Sequence, residues 1–164
     1  MQPASVEEVA PPYLTVAEST LFNARLKALD VARRNPEAVV VGVDTLVALD
    51  GEPLGKPRDM EDAFAMISRL RCRTHQVYSG VWAVQHARRI SACVIEVSHV
   101  TFRDLDEEEI RRYLARIEPL DKAGAYAAQD ESPDGVIAHI EGSRTNVVGL
   151  PMEALEGLLG GWPR

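Results

Sequence analysis

The stretch Val39-Val40-Val41-Gly42-Val43-Asp44-Thr45-Leu46-Val47-Ala48-Leu49-Asp50-Gly51-Glu52-Pro53-Leu54-Gly55-Lys56-Pro57-Arg58-Asp59 decides how the rest of the chain is read. Residues 38–43 are a continuous apolar run, which suits a buried strand that ends at Asp44 and Thr45. Asp50-Gly51 is a strong hairpin signal between residues 46–49 and 53–54. Asp44 and Lys56 are thus carried on two adjoining extended segments and can face one pocket. A carboxylate and an ammonium group paired in that way suit a phosphate substrate held with a divalent metal.

The flanking segments alternate between helix and strand signals. Residues 1–14 are rich in proline and acid and read as extended. Residues 16–34 read as a helix with Leu21, Ala24, Leu26, Ala28 and Val31 on an apolar side and Pro36 past its end. Asp59 is a good N-cap for a helix to about Leu70, with Met60, Ala63, Phe64, Met66, Ile67 and Leu70 inward. Residues 74–85 and 90–102 read as two strands joined by a turn at Arg88-Arg89. Asp106 starts a helix whose first turn holds Glu107, Glu108 and Glu109, where carboxylates favour the helix dipole; it ends before Pro119. Residues 135–140 and 145–148 read as a second hairpin across Gly142-Ser143, and Pro151 opens a last helix to about Leu159. The expected fold class is α/β with several antiparallel pairs. With no internal repeat and no flexible linker, solenoids and propellers are excluded and a single domain over residues 1–164 is expected.

The chain has 164 residues, 46% hydrophobic and 26% charged, with a net charge of -7. That acidity argues against a nucleic acid polymer as partner, because phosphate backbones select for an excess of Lys and Arg. It leaves room for a nucleotide, since a few local cations and a metal can hold one triphosphate. Cys72 and Cys93 match no metal spacing, so a reducing compartment is expected. The opening residues read as no signal peptide, and no apolar run approaches the ~20 residues of a membrane span. No membrane association is expected, and the expected location is the cytoplasm.

Asp44 directly follows an apolar strand, at the carboxyl end where α/β sheets place their sites. It can orient a metal or accept a proton from an attacking water; the plain alternative is a turn residue that bonds nearby backbone. Lys56 lies between Gly55, which permits close approach, and Pro57, which fixes the exit direction. It can neutralise a phosphate or stand as a solvated loop lysine. Lys27 on its own is a helix-surface lysine. The segment Glu118-Pro119-Leu120-Asp121-Lys122-Ala123-Gly124-Ala125-Tyr126 reads as a binding lip or a plain connection. The amide of Gln129 suits reading a base edge. The four histidines form no zinc pattern, and His75 and His99 read as structural. Nucleophile-elbow, phosphate-loop and dinucleotide-loop motifs do not occur.

In this order, Val41-Gly42-Val43-Asp44-Thr45, Leu54-Gly55-Lys56-Pro57-Arg58-Asp59, Arg73-Thr74-His75-Gln76-Val77, the Glu118 to Tyr126 segment and Val147-Val148-Gly149-Leu150-Pro151 resemble the Maf family of nucleoside triphosphate pyrophosphatases. The likeness runs from about Val6 to the C-terminus. It implies a mixed, twisted sheet with flanking helices in two lobes around a cleft. It implies hydrolysis of a nucleoside triphosphate to the monophosphate and pyrophosphate with Mg²⁺ or Mn²⁺. By resemblance Asp44 is the general base or metal-linked carboxylate and Lys56 the phosphate-binding lysine. Lys27 matches a second site lysine, and Glu8 an acidic site residue. Thr45 and Gln129 match the branch that prefers dTTP or UTP. A homodimer is left open. The family's Ser-x-Ser-Pro-Arg-Arg segment has no counterpart here. The chain is therefore expected to be N-terminally incomplete relative to the family, with an open sheet edge where a first strand would lie. Ala127-Ala128-Gln129-Asp130 also stands where the family usually has Gly-Ile-Gln-Gly. Rival readings are a non-catalytic nucleotide-binding regulator linked to cell division, and an inactive truncated relative.

Overall fold

The computed structural model describes residues 2–130 and 132–163, and its first element is the helix α1 (Val16–Arg34). A capping box starts it: the Thr15 hydroxyl accepts from the Glu18 N–H while the Glu18 carboxylate takes the Thr15 N–H at 2.8 Å. Its buried stripe is made of small residues, Thr20, Ala24, Ala28 and Ala32. A helix with such a stripe can lie very close to a sheet.

The strands are β1 (Val39–Leu49), β2 (Glu52–Leu54), β3 (Thr74–Gln85), β4 (Ile90–Phe102) and β5 (Ile137–Glu141). They form one sheet in the order β2-β1-β3-β4-β5. All four pairings are antiparallel. The Asp50-Gly51 hairpin pairs Leu49 with Glu52, and both turn residues take a positive φ, as a two-residue turn of this kind requires. β2 covers only Val47 to Leu49. Among the described residues the outer edge of β1 from Val39 to Leu46 therefore has no strand partner.

Side chains alternate across the sheet. On one face α1 packs on β1 and β3, with Ala28, Ala32 and Val84 buried against Leu29, Val40 and Trp82. On the other face lies the larger core. Here Val47, Leu49, Val77, Val100 and Phe102 meet α2 (Met60–Leu70) and α3 (Glu107–Arg116) through Ala63, Ile67, Leu70, Ile110, Tyr113 and Leu114. Asp59 and Asp106 cap these helices through the N–H groups of Asp62 and Glu109. The chain ends in α4 (Arg144–Val148) and α5 (Met152–Gly160). Among the described residues no helix is long and apolar enough to cross a membrane.

Two sequence expectations are corrected. The apolar run does not end at Asp44: β1 is a single strand of 11 residues and Asp44 sits inside it, opposite Gly80. Thr45 and Leu46 continue the ladder against Ser79 and Tyr78, so one buried carboxylate does not interrupt the pairing. The second hairpin is also absent, because Arg144–Val148 is helix α4 rather than a strand. Ser143 caps it by accepting from the Asn146 N–H, and Gly149 ends it at φ 105. Those local bonds outweigh the strand preference of Thr145, Val147 and Val148.

Candidate active site

Gly42 and Gly80 set the depth at which α1 rests on the sheet. A Cβ on Gly42 would lie 2.2 Å from the Ala24 carbonyl oxygen, and one on Gly80 would lie 2.6 Å from the Leu21 nitrogen. With neither present, the helix backbone touches the strands. That contact brings Lys27, on the flank of α1 nearest the outer edge of β1, onto the carboxylate of Asp44. Lys27 Nζ lies 2.6 Å from Asp44 Oδ1 and 2.6 Å from Glu8 Oε1. The segment that carries Glu8 is held by Asn23, whose side-chain amide exchanges two hydrogen bonds of 3.0 Å with the backbone of Val9. The same Asn23 Nδ2 approaches Asp44 Oδ2 at 3.4 Å.

Asp44 is only 4% exposed. Burial pushes its carboxyl above the usual carboxylate range, against the opposing pull of Lys27. Burial works to lower the Lys27 ammonium, yet the hydrogen bonds and charges of Asp44 and Glu8 hold it above its ordinary value. Lys27 is therefore a fixed cation, and Asp44 a carboxylate of unusual basicity.

Lys56 arrives from the segment between β2 and α2. The Gly124 N–H donates to the Gly55 carbonyl at 3.1 Å, tying this segment to the lip formed by residues 119–126. The lip is made of two short 3-10 turns, with Gly124 and Ala125 in succession at φ 71 and φ 61. Thr45 lies on the opposite face of β1 from Asp44, its hydroxyl 2.7 Å from Ser79 Oγ and 3.5 Å from the Gly149 carbonyl.

These pieces surround a cleft of about 480 Å³ lined by Glu8, Lys27, Asp44, Thr45, Lys56 and Gln129 together with the lip and the end of α4. All six residues singled out in the sequence thus meet in one place. The cleft takes in both Asp44 and Thr45, from opposite faces of one strand, because it wraps the uncovered edge of β1. Asp121 and Lys122 join it from the lip, in contact with each other at 2.6 Å. Asn23 and Ser79 were missed by sequence reasoning. Asn23 did leave a signal, since an asparagine inside a helix is locally unfavourable unless its side chain finds other partners.

The charges that line the cleft cancel: Lys27, Lys56 and Lys122 against Glu8, Asp44 and Asp121. Among the described residues no group of three His, Cys, Asp or Glu side chains is gathered to hold a metal ion unaided. Asp44 and Glu8, which flank the same ammonium group, suit Mg²⁺ completed by phosphate oxygens, because that ion is commonly held by one or two carboxylates and its substrate.

The family model described as Maf-like protein matches residues 1–162. A dTTP/UTP pyrophosphatase of Pelotomaculum thermopropionicum is 44% identical over 156 residues, 95% of this chain and 81% of the relative. The dTTP/UTP pyrophosphatase of Carboxydothermus hydrogenoformans is 40% identical over 162 residues, 94% of this chain and 87% of its own length. That of Myxococcus xanthus is 49% identical over 136 residues, 83% and 67% of the two chains.

Proposed function

The chain belongs to the Maf family, and we propose that it hydrolyses a nucleoside triphosphate, dTTP or UTP, to the monophosphate and pyrophosphate. The observation that carries this reading is the cleft in which Asp44, Lys27, Lys56, Glu8, Thr45 and Gln129 converge. Its volume, about 480 Å³, lies within the range of small-molecule sites. The reading takes residues 1–164 as one domain, supported by a sheet that all five strands share. It places the protein in the cytoplasm, in keeping with Cys72 and Cys93 being free.

In the proposed reaction, water attacks the α-phosphorus. Asp44 accepts its proton, the new P–O bond forms, and the bond from the α-phosphorus to the bridging oxygen breaks, so that pyrophosphate leaves with that oxygen. Burial raises the basicity of Asp44, which suits a general base. Lys56, exposed and without an acidic partner within ion-pair distance among the described residues, meets the phosphates directly. Lys27 holds Asp44 and Glu8 in place and adds its charge near the α-phosphate. Gln129, exposed on the cleft wall, bonds the base edge, and Thr45 orients the same end through Ser79. A triphosphate carries about four negative charges, and the cleft's own charges cancel. Asp44 and Glu8 would hold a divalent cation, Mg²⁺ or Mn²⁺, which would supply the missing positive charge.

The test is pyrophosphate release from dTTP, UTP and CTP with either metal. Asp44→Asn is expected to lower kcat by about 10²-fold or more, with the melting profile retained. Turnover by Asp44→Asn at the wild-type rate would sink the role given to Asp44. The cancelled charge of the cleft favours a second reading, a nucleotide-binding regulator that does not hydrolyse its ligand. Saturable dTTP or UTP binding with no pyrophosphate at any metal concentration would select it.

A further inference from the structure

On the flank of α1 away from Lys27, the helix, the end of β3 and the start of β4 border a hollow of about 360 Å³. Trp82, Val84 and Leu29 form its apolar surface, and Arg25, His86 and Arg89 stand around it. No lining residue carries a carboxylate, although Asp and Glu outnumber Lys and Arg by 25 to 18 in the chain. Most surface arginines meet acids, as Arg34 does Asp30, Arg73 does Asp50 and Arg116 does Asp130. Among the described residues neither Arg25 nor Arg89 has an acidic partner within 4.0 Å. The Arg25 guanidinium instead lies over the Trp82 ring, 5.6 Å from its centre. Trp82 also brings a buried indole N–H that has no acceptor among the described residues, and an unpaired buried donor is costly.

Two guanidinium groups without an acidic partner, beside an imidazole, can recognise a phosphate, which Arg takes in bidentate fashion. The indole with Leu29 and Val84 offers flat apolar surface against which a ring can pack. We infer that this hollow is a second ligand site, for a flat heterocycle carrying a phosphate, of the nucleoside monophosphate class. It shares no lining residue with the cleft. The inference stands apart from the pyrophosphatase reading; if both hold, the product of the cleft belongs to the ligand class of the hollow.

The chain has two tryptophans, Trp82 and Trp162, so a Trp162→Phe variant reports from the hollow alone. UMP, uridine and inorganic phosphate are titrated separately against its fluorescence. UMP is expected to give a saturable change, at least tenfold tighter than either fragment. Arg25→Ala with Arg89→Ala should weaken it about tenfold or more, with pyrophosphate release and melting profile kept. The charge-keeping pair Arg25→Lys with Arg89→Lys should fall between. Lys56→Ala, which alters the cleft, should leave the titration unchanged. The inference is overturned by no response at about 10 mM UMP, by phosphate binding as tightly as UMP, by a response undiminished in the arginine variants, or by its loss in Lys56→Ala. A normal titration in a protein that releases no pyrophosphate would sink the catalytic reading and leave this one standing.

Discussion

Asp44 and His75 are both ionisable groups inside the protein, and they resolve the cost of burial in opposite ways. Asp44 keeps a cation against it; His75 gives up its charge. The His75 ring is fully buried, edge-on to Phe102 and Tyr126 at 5.0 and 5.4 Å, with Nε2 3.0 Å from the Tyr126 oxygen. Burial lowers its pKa from 6.5 to about 4. The unfolded chain therefore binds the extra proton between those values, so stability is full above about pH 6.5 and falls as the pH drops toward 4. The loss amounts to about 3 kcal/mol at the acid end. Urea melts at pH 7 and pH 4.5 should differ by much less in His75→Phe than in the wild type; equal differences would show that other groups set the acid limit. In the sequence His75 and His99 read as structural because both lie on strands; His75 is fully buried, whereas His99 is exposed on β4. Lys27 and Glu8 were harder, because a lysine on a helix and a glutamate in an extended segment carry no local sign of meeting. They came only from resemblance to a family, and the physical cause of their meeting is the depth at which α1 docks.

That depth is a property of two elements together. Small residues on α1 face glycines on β1 and β3, so the helix backbone and the sheet are in contact without a layer of side chains between them. Gly42→Ala would drive a methyl group into the Ala24 carbonyl, which cannot swing aside as a side chain can. A loss of about 3 kcal/mol is expected, at the upper end of overpacking costs. Activity should fall further than stability because Lys27 moves away from Asp44. Thermal melts and pyrophosphate release on the same sample check it, and a fully active Gly42→Ala protein would refute the docking argument. Helices α2 and α3 were legible to within a residue or two because Asp59 and Asp106 announce them. So was the long β3–β4 hairpin, from its two strand-like runs and the turn between. α4 was not: five residues hold too little periodicity, and the cap at Ser143 competes with a β-branched composition that points to a strand. The extent of β1 was misjudged for a related reason. A carboxylate looks like a strand's end until the lysine that accompanies it is seen, 17 residues away in the chain.

At the scale of the whole molecule, the cleft draws on the N-terminal segment, α1, β1, the loop after β2, the lip at 119–126 and the end of α4. Such a site forms only when the larger core and the α1 layer are both in place, so folding and activity should be lost together on denaturation. The uncovered run of β1 that borders the cleft has another consequence. Val39, 41% exposed, begins a stretch to Val43 that holds four valines and a glycine and no charge. Along this edge, which has no strand partner among the described residues, the backbone N–H and C=O groups are a template on which extended segments of other molecules can add, layer on layer, toward fibrous aggregates. The protein is expected to scatter light and bind amyloid dyes on prolonged concentrated storage, and a Val39→Lys variant to stay clear, since a charge at an edge opposes such stacking. Equal turbidity in the two would locate the nucleus of aggregation elsewhere. If Val39→Lys does stay clear, the strand that carries Asp44 into the cleft is also the one that limits the shelf life of the protein.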